Sequence, residues 1–302
     1  MRNMNKSIAN SELILNSDGS IYHLHLLPED LADTIITVGD PDRVAAVSRH
    51  FDKIVLRQQK REFVTHTGYI GTRAISVIST GIGTDNIDIV FNELDALANI
   101  DLKTRCVKEQ HRPLTFIRLG TSGALQPDLD IDSFLASSMG VGFDTLLNFY
   151  NYTPNDTEAA LARQFGTLPN GVMPYFAQAD ADLCALFAQG GAATGMTATC
   201  AGFYAPQGRQ LRLQAAVPDL LDRLQAFNSE DGNWRFSNLE METAGMYGLA
   251  RLLGHRALSL NVILANRAQG RFSPDPKKAV DSLIAWALEI ISNTPNLFSH
   301  TN

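Results

Sequence analysis

Two arginines stand beside short runs of small or turn-forming residues. Arg43 follows Gly39-Asp40-Pro41-Asp42, and Arg118 precedes Gly120-Thr121-Ser122-Gly123-Ala124. A guanidinium next to backbone that small side chains leave open suits an anion, because its planar fork matches a phosphate or carboxylate and backbone N–H groups add to it. Gly39-Asp40-Pro41 directly follows the β-branched run Thr34–Val38. It reads either as an anion-binding helix start or as an ordinary strand-to-helix turn with an acidic cap. Arg118 likewise reads as a ligand contact or as half of a structural ion pair, with Gly120–Ala124 as a tight turn after the strand Thr115–Leu119.

Glu240 and Glu242 flank Met241 where a helical pattern begins at Thr243. Carboxylates there are either capping charges or fixed acceptors suited to the vicinal hydroxyls of a sugar. Phe203-Tyr204-Ala205-Pro206-Gln207-Gly208-Arg209 places an aromatic platform, an amide and a guanidinium in one short segment. Gln207 both donates and accepts while Arg209 only donates, so the pair fits a flat heterocycle carrying carbonyls and one N–H, unless the segment is simply a loop.

Other patterns carry less. Gly81-Ile82-Gly83 follows a strand, but a dinucleotide fingerprint would need its third glycine at Asn86. Gly120–Ala124 is not a nucleophile elbow, since position 124 is alanine where that motif needs glycine. His23 and His25 have no Cys, Asp or Glu at metal-ligand spacing, so no metal is expected.

The elements that must hold these residues alternate in type. Thr34–Val38, Ala74–Ser79, Thr115–Leu119 and Ala257–Leu264 read as strands. Asn86–Ala98 carries Ile87, Val90, Phe91, Leu94 and Leu97 at helical spacing, and Pro276–Ile291 reads as the closing helix. This alternation predicts a layered α/β fold around a buried mixed or parallel sheet. No composition shift divides the 302 residues, so residues 21–302 are expected to form one domain, with residues 1–20 a loose extension and Asp101–Pro113 a solvated insertion.

With 25 Lys+Arg against 32 Asp+Glu the net charge is −7, and no basic cluster appears, which argues against nucleic-acid binding. No stretch of about 18 apolar residues occurs, so no membrane span or membrane partner is expected. Three cysteines in no C-x-x-C pair point to a reducing compartment, hence the cytoplasm.

In this order the segments resemble the nucleoside phosphorylase superfamily, most closely the uridine phosphorylases. The resemblance spans roughly residues 21–292. It rests on YHLHL from Tyr22, TVGDPDRV from Thr37, REF from Arg61, STGIG from Ser79, FIRLGTSGALQP from Phe116, FYAPQGR from Phe203, LEMETAGM from Leu239 and VILANR from Val262. It implies a three-layer α/β/α fold with a central mixed β-sheet. It also implies a phosphate site from Gly39, Arg43, Arg118 and Thr121, completed by Arg61 of a neighbouring subunit. Ribose would lie on Met241 and Glu242, with His23 of the neighbour at the 5′-hydroxyl. The base would meet Phe203, Gln207 and Arg209, with Arg267 behind. Arg118, Gln207, Arg209 and Glu242 would carry catalysis. The substrates implied are uridine and phosphate, with phosphate a co-substrate and no cofactor. Groups supplied by a neighbour imply a homodimer, alone or as a trimer of dimers. Asn86 departs from the serine that a potassium site between subunits uses in such enzymes, although Glu62 and Ile82 match.

Two enzymatic alternatives and one non-enzymatic one compete. A hydrolytic nucleosidase has no use for three phosphate arginines, and purine-cleaving relatives generally place an aspartate where this chain has Asn266-Arg267. The third alternative is a nucleoside-binding protein that keeps the fold without turnover, since fold does not guarantee activity.

Overall fold

The computed structural model describes residues 6–294. The first half runs β1 (Thr34–Val38), α1 (Pro41–Ser48), β2 (Lys53–Lys60), β3 (Phe63–Ile70), β4 (Arg73–Ser79), α2 (Thr84–Asn99), the short strands β5 (Ile100–Asp101) and β6 (Cys106–Val107), and β7 (Thr115–Ala124). The second half runs β8 (Phe134–Gly142), α3 (Asp156–Phe165), β9 (Tyr175–Gln178), α4 (Ala181–Gln189), β10 (Ala193–Thr199), α5 (Leu220–Ala226), β11 (Phe236–Glu240), α6 (Thr243–Leu252), β12 (Arg256–Asn266), β13 (Arg271–Phe272) and α7 (Pro276–Asn293).

The strands form one mixed sheet in the order β13-β12-β8-β10-β11-β7-β1-β4-β3-β2, with β9 on β8. Period-2 alternation sends neighbouring side chains to opposite faces, and both faces are covered. Ile35 and Phe116 join the core built with Phe91 and Leu94 of α2 and Met246 of α6. Ile36, Val38 and Ile117 join the other core, with Val44 of α1, Phe187 of α4 and Leu283 of α7. The result is the three-layer α/β/α arrangement with a mixed central sheet.

β7 also pairs in parallel with β12, from Arg256↔Thr115 to Asn266↔Ala124, while β11 joins its far end through Leu239↔Gly123. Strands β7, β12, β8, β10 and β11 therefore close into a ring. This corrects the expected turn at Gly120–Ala124: the strand continues through it, because small residues let β11 and β12 pair on either side. Gly120 has a specific reason, since a Cβ there would stand 1.9 Å from Nη1 of Arg118.

Residues 1–5 of the expected loose extension lie outside the described residues, but residues 6–20 are packed rather than loose. Ile8 and Leu13 are buried, at 8% and 6% exposure, in the core beside α2. The insertion is not simply solvated either: β5 and β6 pair, and Arg105 between them donates from Nε to Ile8 O at 2.8 Å and from Nη2 to Ala9 O and Leu13 O. The two segments that look least core-like thus satisfy one another's backbone groups. No helix among the described residues is long and apolar enough to cross a membrane.

Candidate active site

The C-terminal ends of β1, β4, β7 and β11 open onto one cavity of about 790 Å³. Clefts of this size at strand ends are the usual ligand sites of α/β sheets.

At the end of β1, Asp40 caps α1 by accepting from Asp42 N at 3.0 Å, and Pro41 occupies the first turn. Both readings of this turn coexist: the cap is made, and Gly39 and Arg43 still line the cavity. Arg43 donates from Nη1 to Leu119 O at 3.2 Å. Burial, and then the charge of Arg118, push Arg43 below its ordinary value, though guanidinium stays protonated. Two guanidiniums close enough to disfavour each other invite an anion.

Arg118 points from β7 into the ring of strands. It donates from Nη1 to Asn261 Oδ1 at 3.0 Å and from Nη2 to Glu242 Oε2, with Glu240 Oε2 at 3.4 Å. The structural ion pair is real, and Arg118 and Thr121 also line the cavity. Burial works against its charge, but Glu242 and Glu240 hold Arg118 above its ordinary value.

The two carboxylates at the start of α6 divide their roles. Glu240 accepts from Glu242 N, Thr243 N and Thr199 Oγ1 at 2.8–3.1 Å, so it caps the helix. Glu242 accepts from Gly83 N at 2.7 Å and from Arg118, and lines the cavity with Met241. The Gly81-Ile82-Gly83 segment therefore serves as a donor to this carboxylate. Burial pushes the Glu242 carboxyl up, Arg118 opposes this, and Glu240 beside it reinforces it.

In the loop after β10, Arg209 donates from Nη1 to Gln207 Oε1 at 2.6 Å and to Phe203 O at 2.8 Å. Its guanidinium carbon lies 3.7 Å from the Phe203 ring centroid, a cation–π contact. Gln207 is buried and lines the cavity; its side-chain carbonyl accepts from Arg209, and its amide N–H groups donate to no partner among the described residues. Arg267 donates to Gln207 O at 3.1 Å from behind, without lining the cavity.

His23 and Arg61 are not brought to this cavity. His23 Nδ1 lies 2.6 Å from Glu93 Oε1, and Glu93 also accepts from His23 N and Leu24 N. Arg61 sits at a left-handed turn position, φ 54°, between β2 and β3, with its guanidinium 6.0 Å from the Tyr22 ring. Tyr22 also stacks edge-on against His23 at 4.8 Å, so the two share one patch. Glu62, next to Arg61, does reach the cavity.

Asn261 was not among the sequence candidates. Its signal was a polar residue two positions after Ser259 in the otherwise apolar run Ala257–Leu264. Phe272, 64% exposed, also lines the cavity from β13, an element too short to read from periodicity.

Among the described residues, Asp95, His111 and His255 have ligand atoms within 4.8 Å of one another. The donor set does not suit a metal. Leu114 N donates to His255 Nδ1 at 3.2 Å, so the ring must keep its proton on Nε2, which stands 3.2 Å from Asp95 Oδ1 without forming a well-aligned hydrogen bond. A metal on Nε2 would require a doubly deprotonated imidazole, against the usual arrangement in which the second nitrogen donates.

A model of the phosphorylase superfamily matches residues 33–291. A uridine phosphorylase of Thermococcus kodakarensis is 28% identical over 297 residues, covering 96% of this chain and 93% of that one. A purine nucleoside phosphorylase of Hahella chejuensis is 27% identical over 270 residues, covering 88% and 96%. The crystal structure of a Trypanosoma brucei nucleoside phosphorylase, described as showing uridine phosphorylase activity, superposes with a TM-score of 0.84 at 27% identity, covering 93% of this chain and all of that one.

Proposed function

The chain belongs to the phosphorylase superfamily, and we propose that within it the reaction is the reversible phosphorolysis of uridine to uracil and ribose 1-phosphate. The observation that carries this reading is the joining of Gln207 and Arg209, donors suited to a pyrimidine's carbonyls, to the cavity that also holds Arg43, Arg118 and Glu242.

The chemistry follows from the charges. As the bond from C1′ to N1 breaks, its electron pair leaves with uracil and positive charge builds on the ribose. Arg209 and Gln207 donate to the ring as that negative charge grows, so they act more strongly in the transition state than in the ground state. A phosphate oxygen, held by Arg43, Arg118, Thr121 and the Gly39 turn, forms the new bond to C1′ while its charge balances the developing cation. Glu242 accepts from ribose hydroxyls beside Met241. Arg61 and His23 of a second copy complete the phosphate and 5′-hydroxyl contacts. Their place on one patch outside the cavity, next to Glu62 at its edge, supports a site shared between two chains.

The purine relative supplies the competing reading. Asn266 favours the pyrimidine one: its side chain donates to Gln126 O at 3.0 Å and Leu129 O at 2.8 Å and carries no acid to protonate a purine. Incubation with uridine or inosine, with and without phosphate, followed by ultraviolet absorbance, tests this. Phosphate-dependent loss of uridine is expected. Cleavage of inosine alone, or loss of uridine without phosphate, would overturn it.

A further inference from the structure

The β2–β3 hairpin carries Arg61 at its tip, and the tip is held from outside the sheet. Lys60↔Phe63 is the last pair of the hairpin, so Arg61 and Glu62 form a two-residue turn. A residue other than glycine at positive φ, 54° for Arg61, is strained and persists where its surroundings fix it. Lys60, the residue before it, supplies an anchor. Its Nζ donates to Tyr22 O at 2.5 Å and to Asn16 Oδ1 at 2.8 Å, and lies 4.7 Å from the centre of the Tyr22 ring.

Asn16 is itself fixed by the segment it belongs to. Leu15 and Ile21 pair as an antiparallel bridge, and Asn16 N donates to Ser20 O at 2.9 Å. The Asn16 side chain donates from Nδ2 to Ile21 O at 2.8 Å and to Ser20 Oγ at 2.9 Å, which leaves its oxygen for Lys60. A second tie lies further back on the strand. Gln58, two residues before Lys60 and so on the same face of β2, has Nε2 2.8 Å from His25 Nδ1, and His25 Nε2 is 2.8 Å from Asp18 Oδ2. Residues 15–21 thus reach β2 at two points, and just ahead of them Leu13 is pinned by the core and by Arg105.

We propose that residues 15–21 are a brace that positions Arg61 for the phosphate bound by a second copy, with Lys60 and Asn16 as the positioning residues. Tyr22 connects brace and arginine: its carbonyl takes Lys60, and its ring centre lies 6.0 Å from the Arg61 guanidinium carbon. Arg61 is exposed at a hairpin tip, and a long side chain there loses rotamer freedom when it meets an anion. Fixing the backbone and the aromatic face beside it in advance lowers that cost. His23 has its own anchor, since Glu93 takes both its ring and its main-chain N–H. The brace therefore acts on the phosphate contact rather than on the 5′-hydroxyl. The inference rests on the reading that Arg61 completes the phosphate site of a second copy.

Lys60→Met keeps the stem and removes the donors, and Asn16→Ala removes the acceptor. Thermal melting reports folding, and should Lys60→Met not fold, Asn16→Ala carries the same test. On whichever of uridine and inosine the wild type cleaves, either variant is expected to lower kcat/KM for phosphate about tenfold, with KM for the nucleoside within about twofold. The defect also belongs to the chain that donates Arg61. Refolded with Arg43→Ala and assayed at phosphate below KM, Lys60→Met regenerates about one quarter of wild-type activity, because one site of each mixed dimer joins an intact Arg43 to an undisturbed Arg61. Refolded with Arg61→Ala it stays at the level of the separate variants, since both lesions strike the same contribution. Unchanged kcat/KM for phosphate in the folded variants, equal losses on both substrates, or any other pattern of recovery overturns the brace and leaves the function reading standing. The mixture of Arg43→Ala with Arg61→Ala is the control: if it too stays inactive after subunit exchange, the shared site fails and the brace with it. A wild type that cleaves neither nucleoside, or full activity in Arg61→Ala, overturns the reading on which the brace rests.

Discussion

Arg118 and Glu242 form an ion pair whose side chains are only 6% and 5% exposed, so the residue assigned to phosphate and the residue assigned to ribose hold each other in place before either meets a ligand. Removing one partner of such a pair strands a buried charge, which commonly costs about 3–5 kcal/mol.

The burial of Glu242 should make the reaction sensitive to acid, with Arg118 opposing the effect. Burial raises the Glu242 carboxyl above its ordinary value of 4.5, so it stays protonated to higher pH than a free carboxyl, and without its charge it is a weaker acceptor for ribose hydroxyls. The acid limb of kcat/KM against pH should therefore lie above the ordinary carboxylate range, and Glu242→Gln should remove it. The stability sign is opposite: a raised folded-state value means protonated Glu242 favours folding below 4.5, a contribution lost as pH rises through that folded value. A limb at the ordinary position, unchanged in the variant, would assign the acid dependence elsewhere.

Glu242→Gln should also reduce turnover of uridine more than of 2′-deoxyuridine, because the carboxylate accepts from hydroxyls and the deoxy sugar lacks one. Equal loss on both substrates would show that Glu242 does not read the 2′-hydroxyl.

Arg209→Ala should lower kcat/KM for uridine by at least about 10²-fold, since a donor to the leaving base acts mainly in the transition state. Arg209→Lys should recover little, because an ammonium cannot at once lie flat over Phe203 and keep the fork that reaches Gln207 and Phe203 O. Near-normal turnover in either variant counts against this base pocket.

A site shared between chains predicts complementation. Arg43→Ala and Arg61→Ala should each be nearly inactive as homodimers. In a mixed dimer one site takes both lesions and the other neither, so co-refolded mixtures should recover about one quarter of wild-type activity by two-fold symmetry. Mixtures that stay inactive, with subunit exchange confirmed by native mass spectrometry, would put both arginines in one chain's site.

Arg105→Ala should destabilise the fold without touching the cavity. It removes the donors to Ile8 O, Ala9 O and Leu13 O, and a loss of about 1–3 kcal/mol, read as a melting point lower by several degrees, is expected. An unchanged melting point would mean that solvent replaces these contacts without cost.

What the sequence determined by itself is local. Thr34–Val38 is a strand because five β-branched or apolar residues feed cores on both faces, and α1 starts at Pro41 because Asp40 caps it; both were legible without a partner in view. The candidate ligand residues were legible in type, since Arg43, Arg118, Gln207, Arg209 and Glu242 are conspicuous beside glycines and turns. Tertiary structure decided what each of them does. Glu240 and Glu242 are two residues apart and alike in composition, and only the approach of Thr199, Gly83 and Arg118 makes one chiefly a helix cap and the other the closer ion partner of Arg118. Gly120–Ala124 looked like a turn because its residues are small, yet β12, well over a hundred residues further on, pairs with it as a strand. The fastening of residues 6–20 by Arg105 is likewise set by distant partners. Periodicity and turn chemistry report which face an element hides and where it stops. Which element arrives to cover that face is settled by long-range packing, and that has no local signature in the chain.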